Sequence, residues 1–135
     1  MPGKNIFDLD KIFIPVNLFK NHWACAVIFM QEKRIRFHDS MRGDGYHYSE
    51  GLLKYLEDEW ISKNPGMGIL PDSQKWEIVG YVDGVPQQPN GFDCGLFTCM
   101  FANFLSINRP LSFTQIGLVE GRNHIALSIM NDTIV

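Results

Sequence analysis

Cys94 follows the sharp loop Pro89-Asn90-Gly91 and opens an apolar stripe, which makes it the first residue of an expected helix. At that position unpaired backbone N–H groups and the positive end of the helix dipole stabilise a thiolate, the form of cysteine that attacks a carbonyl. Gly91 and Gly95 on either side let a substrate backbone approach closely. Gln88, six positions before the cysteine, is within reach to donate its side-chain amide to an oxyanion. A cysteine nucleophile also needs a base, and the base needs a third group that holds its tautomer and stabilises its imidazolium form. His22 and Asp39 are the residue types for those two roles.

For a cysteine taken at random, the bland alternative is a buried structural residue. Cys25, inside an apolar run, and Cys99, five residues beyond Cys94 and so rotated off its face, are read in that way. His38, His47 and His124 are read as surface or hydrogen-bonded residues. No pair among the cysteines and histidines has the short spacing of a chelating knuckle, so no metal site is expected.

Placing these groups falls to the elements around them. Residues 12–16 (IFIPV) and 23–31 (WACAVIFMQ) are β-branched and aromatic runs, too short and too continuously apolar for amphipathic helices, and read as buried strands. RIRFHDS at 34–40 alternates, with Ile35, Phe37 and Asp39 on one face and Arg34, Arg36 and His38 on the other, the arginines turned to solvent. Gln31, Glu32 and Lys33 join the second and third runs as an antiparallel hairpin. Such a hairpin brings His22, at the start of one strand, to the same edge of the sheet as Asp39, at the end of the other.

Apolar residues at 52, 53, 56 and 60 predict an amphipathic helix from Tyr48 to about Lys63 with a solvated acidic face, ended by Asn64-Pro65-Gly66. WEIVGYV at 76–82 reads as a further strand. The interval from Cys94 to Leu105 reads as a helix burying Leu96, Phe97, Met100, Phe101 and Phe104. A capping pattern of Ser112 with Gln115 predicts a last helix. Trp60 and Trp76 are expected in the core or at its boundary, whereas Trp23 either sits at that boundary or covers the site beside His22.

The bulk of the chain agrees with one globular domain: 135 residues, 45% hydrophobic and 20% charged. A net charge of -3 gives no general attraction to nucleic acid or anionic lipid, so a partner must be recognised through a local surface. No apolar run reaches the length of about 20 residues that spans a bilayer. Three cysteines and no secretory signal at the N-terminus point to a reducing, intracellular setting.

Taken together, IFIPVN at 12–17, His22-Trp23, FHDS at 37–40 and PQQPNGFDCG at 86–95 resemble the ubiquitin-like-protein-specific (Ulp/SENP, or sentrin-specific) cysteine proteases. The order His, Asp, Gln, Cys and the spacings within it match that family, and differ from papain-like enzymes in which the cysteine comes first. The resemblance implies an α+β, papain-like (adenain-type) fold with a central mixed sheet of about four or five strands flanked by helices. It implies that Cys94, His22 and Asp39 form a triad and that Gln88 serves the oxyanion. It also implies that Trp23 packs over the narrow tunnel for a modifier's diglycine tail, excluding larger residues by shape.

The activity implied is a thiol protease cleaving after that tail, most readily on SUMO, in both precursor processing and isopeptide deconjugation. A protease of the same fold directed at NEDD8 or ubiquitin, an acetyl-transferring relative and a non-catalytic modifier-binding module are the alternatives. Residues 1–135 then form the C-terminal catalytic domain without the N-terminal helical portion of typical members. The chain needs no cofactor, binds neither nucleic acid nor membrane, is a monomer by default, and has the nucleus or cytoplasm as its address.

Overall fold

The computed structural model describes residues 5–88 and 93–111. A 3-10 turn at Ile6–Asp8 leads into β1 (Lys11–Leu18), β2 (His22–Phe29), β3 (Arg34–His38), α1 (Tyr46–Lys63), a second 3-10 turn at Ser73–Lys75, β4 (Glu77–Val79) and α2 (Cys94–Ser106). The predicted helix at Ser112, along with Gly91 and His124, lies outside the described residues.

The four strands make one mixed sheet in the order β1-β2-β3-β4. The first three are antiparallel neighbours, and β4 runs parallel to β3. A parallel pair cannot be joined by a tight turn; here α1 is the crossover. Pro15 sits inside β1, where it is tolerated because β1 is an edge strand with one side free of ladder bonds. The turn from β1 to β2 is tight: Asn21 N–H donates to Leu18 C=O at 3.2 Å, and Phe19 and Lys20 both have positive φ, as a type I′ turn requires. Phe19 is thereby thrown into solvent, 91% exposed.

The pleat divides the sheet's side chains between two cores. Ala24, Ala26, Ile28, Ile35 and Phe37 face the side covered by α1, where they meet Leu52, Leu56 and Tyr48. Cys25, Val27 and Phe29 face α2 and its Phe97, Met100 and Phe101. Both faces of β2 are covered, which is why WACAVIFMQ is continuously apolar instead of alternating. Burying Phe97 and Phe101 contributes roughly 1.5–3 kcal/mol each. The α1 start is fitted to the sheet at Gly45, whose N–H donates to Gly80 C=O at 2.8 Å and where an added Cβ would lie 2.3 Å from the Phe37 ring.

Several expectations are corrected. Arg34 and Arg36 are half-buried on the α2 side; Arg34 pairs with Glu32 at 2.6 Å and lies over the Phe29 ring. The strand expected over 76–82 is shortened to Glu77–Val79, because Gly80 turns the chain in against Asp44 and Tyr46. Cys99, expected to be buried, is exposed, since its rotation away from the Cys94 face carries it past the edge of the core. Thr98, absent from the expected stripe, is buried.

His38, expected at the surface or hydrogen-bonded, is buried beneath α2 with its ring centroid 6.0 Å from that of Phe101; it has a hydrogen bond with the Cys25 backbone, and its Nδ1 has no partner among the described residues. Burial pushes its pKa from 6.5 down to about 4, opposed by the Cys25 backbone and helped by Arg36. The imidazole is therefore neutral in the fold, while the unfolded chain takes up a proton below about pH 6.5. Between about 4 and 6.5 the unfolded state binds more protons, so stability falls as pH drops through that window, by up to about 3 kcal/mol. A His38→Phe chain is expected to lack this component. Thermal melts of both chains from pH 7 to 4 test it, and parallel pH dependence would contradict a neutral buried His38.

Candidate active site

β2 begins at His22 and is paired with β3 so that Cys25 lies opposite His38. The residue after His38 therefore lies across from Ala24, on the same face as Ala24 and His22 and one diagonal step from His22. From there Asp39 reaches the imidazole: His22 Nε2 and Asp39 Oδ1 are 2.6 Å apart, with the two side chains 14% and 3% exposed. A carboxylate at Nε2 keeps the N–H on that nitrogen and leaves Nδ1 as the proton acceptor of the neutral ring. Asp39 is itself held, because Oδ1 also accepts the Met41 N–H at 2.8 Å and its backbone C=O accepts from Arg42 N–H at 3.2 Å.

Cys94 arrives at the same end of the sheet by a different route. Lys11 Nζ, at the start of β1, donates to Leu105 C=O at 2.8 Å near the C-terminal end of α2. Lys11 is the register partner of Phe29, the last residue of β2. At about 1.5 Å per residue α2 spans about 20 Å, and β2 at about 3.3 Å spans about 26 Å. Packed along β2 with its C-terminal end over Phe29, α2 directs its N-terminal end toward His22. Cys94 is buried there as the first helical residue, after Asp93 at the cap position. It is a free thiol, as are Cys25 and Cys99. Burial, with the nearby Cys99 as a lesser cause, pushes Cys25 up to about 12, which leaves it protonated and inert.

The segment 85–88 is laced to the two residues after β3. Gln87 Nε2 donates to Asp39 C=O at 3.2 Å and to Val85 C=O at 2.9 Å. Gln88 N–H donates to Ser40 C=O at 2.9 Å, and the Ser40 hydroxyl donates to Gln88 Oε1. Gln88 is thus tethered beside Asp39. Trp23, one residue beyond His22, alternates to the α2 side of the sheet and is 41% exposed. Gly95 lies in the first turn of α2 with open space where a Cβ would point.

Sequence reasoning missed three supporting residues. Gly43 passes so close over the carboxylate that an added Cβ would lie 2.2 Å from Asp39 Oδ2. Gln87 holds the Asp39 carbonyl, and Ser40 holds the Gln88 amide. The only signal for Ser40 and Gln87 was adjacency, in the pairs Asp39-Ser40 and Gln87-Gln88, and adjacency does not reveal that these two pairs meet. His22 and Asp39 themselves line a cavity of about 430 Å³, together with Leu18, Phe19, His47 and Tyr48.

Among the described residues no group of three or more His, Cys, Asp or Glu is arranged to hold a metal ion, and no helix is long and apolar enough to cross a membrane.

Over residues 2–130 the chain matches the Ulp1 protease family, C-terminal catalytic domain. It is 33% identical over 135 residues to sentrin-specific protease 2 of Rattus norvegicus, covering 98% of this chain and 22% of that protein. It is 33% identical over 126 residues to ubiquitin-like-specific protease 1 of Saccharomyces cerevisiae, covering 93% of this chain and 19% of that one. Among solved structures it superposes on the C-terminal Ulp1 protease domain in complex with Smt3, the yeast orthologue of SUMO, with a TM-score of 0.76 and 32% identity over 96% of this chain and 56% of that chain. The catalytic domain of the Chaetomium thermophilum Ulp1-like SUMO protease gives a TM-score of 0.77 at 28% identity, over 96% and 49% of the two chains. The present chain thus spans about a fifth of these curated relatives and about half of these solved domains. The α+β papain-like fold expected from the resemblance is the fold of these domains, and the chain belongs to the Ulp1 protease family, matching its C-terminal catalytic domain.

Proposed function

We propose that the chain is the catalytic domain of a thiol protease that cleaves after the C-terminal diglycine of a ubiquitin-like modifier, with SUMO as the preferred one. The observation that carries this reading is the 2.6 Å pairing of His22 with Asp39 at the end of the sheet toward which α2 points Cys94. A relative solved in complex with Smt3 and a relative named as a sentrin-specific protease support SUMO as the modifier.

In this reading the Cys94 thiolate, stabilised by the α2 N-terminus and the His22 imidazolium, adds to the carbonyl carbon of the modifier's terminal glycine. Gln88 donates to the resulting oxyanion. The C–N bond breaks, the amine leaves with the proton of His22, and a thioester remains on Cys94. Water then attacks the thioester and gives its proton to His22. The modifier departs as a carboxylate and the thiolate–imidazolium pair is restored. Trp23 and the exposed Phe19 flank His22 and supply apolar surface for the tail and for the modifier's body. The free thiols fit a reducing compartment, the nucleus or the cytoplasm.

The test is to incubate the chain with SUMO, NEDD8 and ubiquitin, each carrying a C-terminal electrophile, and to read the products by intact mass and peptide mapping. A covalent adduct with SUMO at Cys94 is expected. An adduct only with NEDD8 or ubiquitin would redirect the substrate, and no adduct with a folded chain would sink the protease reading.

A further inference from the structure

Ser40 follows Asp39 and takes no part in the chemistry above, yet it is 1% exposed and its only polar side-chain atom is committed to Gln88. A primary amide has two chemically opposite ends of nearly equal size, and its catalytic value depends on which one faces the substrate. With the –NH₂ toward the carbonyl carbon's oxygen, the amide stabilises the negative charge that develops there. With the oxygen toward it, the same side chain repels that charge. Rotation about the last side-chain bond of a glutamine is broad, so the backbone alone does not choose between them.

We propose that Ser40 is a positioning residue that makes this choice. Its hydroxyl donates to Gln88 Oε1 and turns the Nε2 end away from Ser40, while the bond from Gln88 N–H to Ser40 C=O at 2.9 Å fixes the distance between the two residues. Gln87, donating to Asp39 C=O, ties the same two segments one residue earlier, so the orientation of Gln88 is built on the rigid end of β3 that also delivers Asp39. Asp39 and Ser40, adjacent in sequence, thereby align the base through one side chain and the oxyanion donor through the next. Ser40 touches neither thiol nor substrate; it acts through Gln88. The inference rests on the reading of Gln88 as the oxyanion donor.

The experiment is a double-mutant cycle on the full chain, with kcat and KM measured on SUMO carrying a C-terminal fluorogenic amide. Ser40→Ala is expected to lower kcat roughly five- to tenfold, the worth of one oriented hydrogen bond, with KM changed by less than about twofold. Gln88→Ala is expected to lower kcat by about 10²-fold, and adding Ser40→Ala to it is expected to change nothing further. Ser40→Cys, which fills the site with a somewhat larger atom that is only a weak donor, gives the same result if the alanine chain is too unstable to assay. An unchanged kcat in the Ser40 chains, or the same drop when Gln88 is already alanine, overturns the inference while leaving Gln88 in its role. An unchanged kcat in Gln88→Ala overturns the Gln88 reading itself.

Discussion

Cys94→Ser is expected to lower cleavage of a modifier's C-terminal amide by about 10³-fold or more, and to abolish the adduct with a modifier-derived electrophile. A serine hydroxyl at the head of α2 has the same backbone donors and, in the proposed triad, the same imidazole. Its proton is held several orders of magnitude more tightly than a thiol's, so the population of nucleophilic anion collapses. Because Cys94 is buried, the new hydroxyl costs about 1–2 kcal/mol of stability if it finds no partner. A thermal melt therefore accompanies the assay, to separate lost chemistry from lost fold. Cleavage retained at more than about a tenth of the wild-type rate would remove Cys94 as the nucleophile. Cys99 is the exposed thiol and reacts with general alkylating reagents whatever its role, so the adduct must be mapped with a modifier-directed probe.

His22→Ala should come close to the same loss, about 10³-fold in kcat/KM, for two reasons that different measurements separate. Proton transfer to the leaving amine loses its donor, which lowers the rate at every pH. The thiolate also loses its proposed cationic partner, so alkylation of Cys94 should slow. An alkylation profile at Cys94 that matches wild type would break the proposed pairing even if turnover fell. The change leaves Asp39, only 3% exposed, with the Met41 N–H on its Oδ1 and no imidazole, a loss of about 1–3 kcal/mol that a melt will register. Asp39→Asn is the milder companion. Asparagine can place its oxygen where Oδ1 now meets both His22 and Met41, keeping the tautomer while removing the charge that favours the imidazolium. Its loss should therefore be smaller than that of His22→Ala.

Much of the frame could be read from the chain alone because it is local in origin. The hairpin of β2 and β3 follows from two apolar runs and a polar patch, and once that pairing is accepted His22 and Asp39 must share an end of the sheet. The helix headed by Cys94 follows from the loop before it and the apolar stripe after it. The expectation that failed on β3 has one cause, a second covering layer that no strand's own pattern announces. RIRFHDS alternates like a half-solvated strand. Yet His38 lies under α2, a helix that begins 56 residues beyond it in the chain. The same layer decides that Cys25 is sealed while Cys99 looks out.

What the sequence by itself determined, then, is the set of candidate reacting groups and their order along the chain, because residue identity, short-range periodicity and strand register are properties of neighbouring positions. What only the tertiary structure decided is how those groups are held. Gly43 passes over the Asp39 carboxylate, and Gln87 and Ser40 join segments 48 residues apart. Hydrogen bonds and close approaches of that kind depend on where two distant stretches of backbone meet, and that is set by the packing of both helices on a shared sheet.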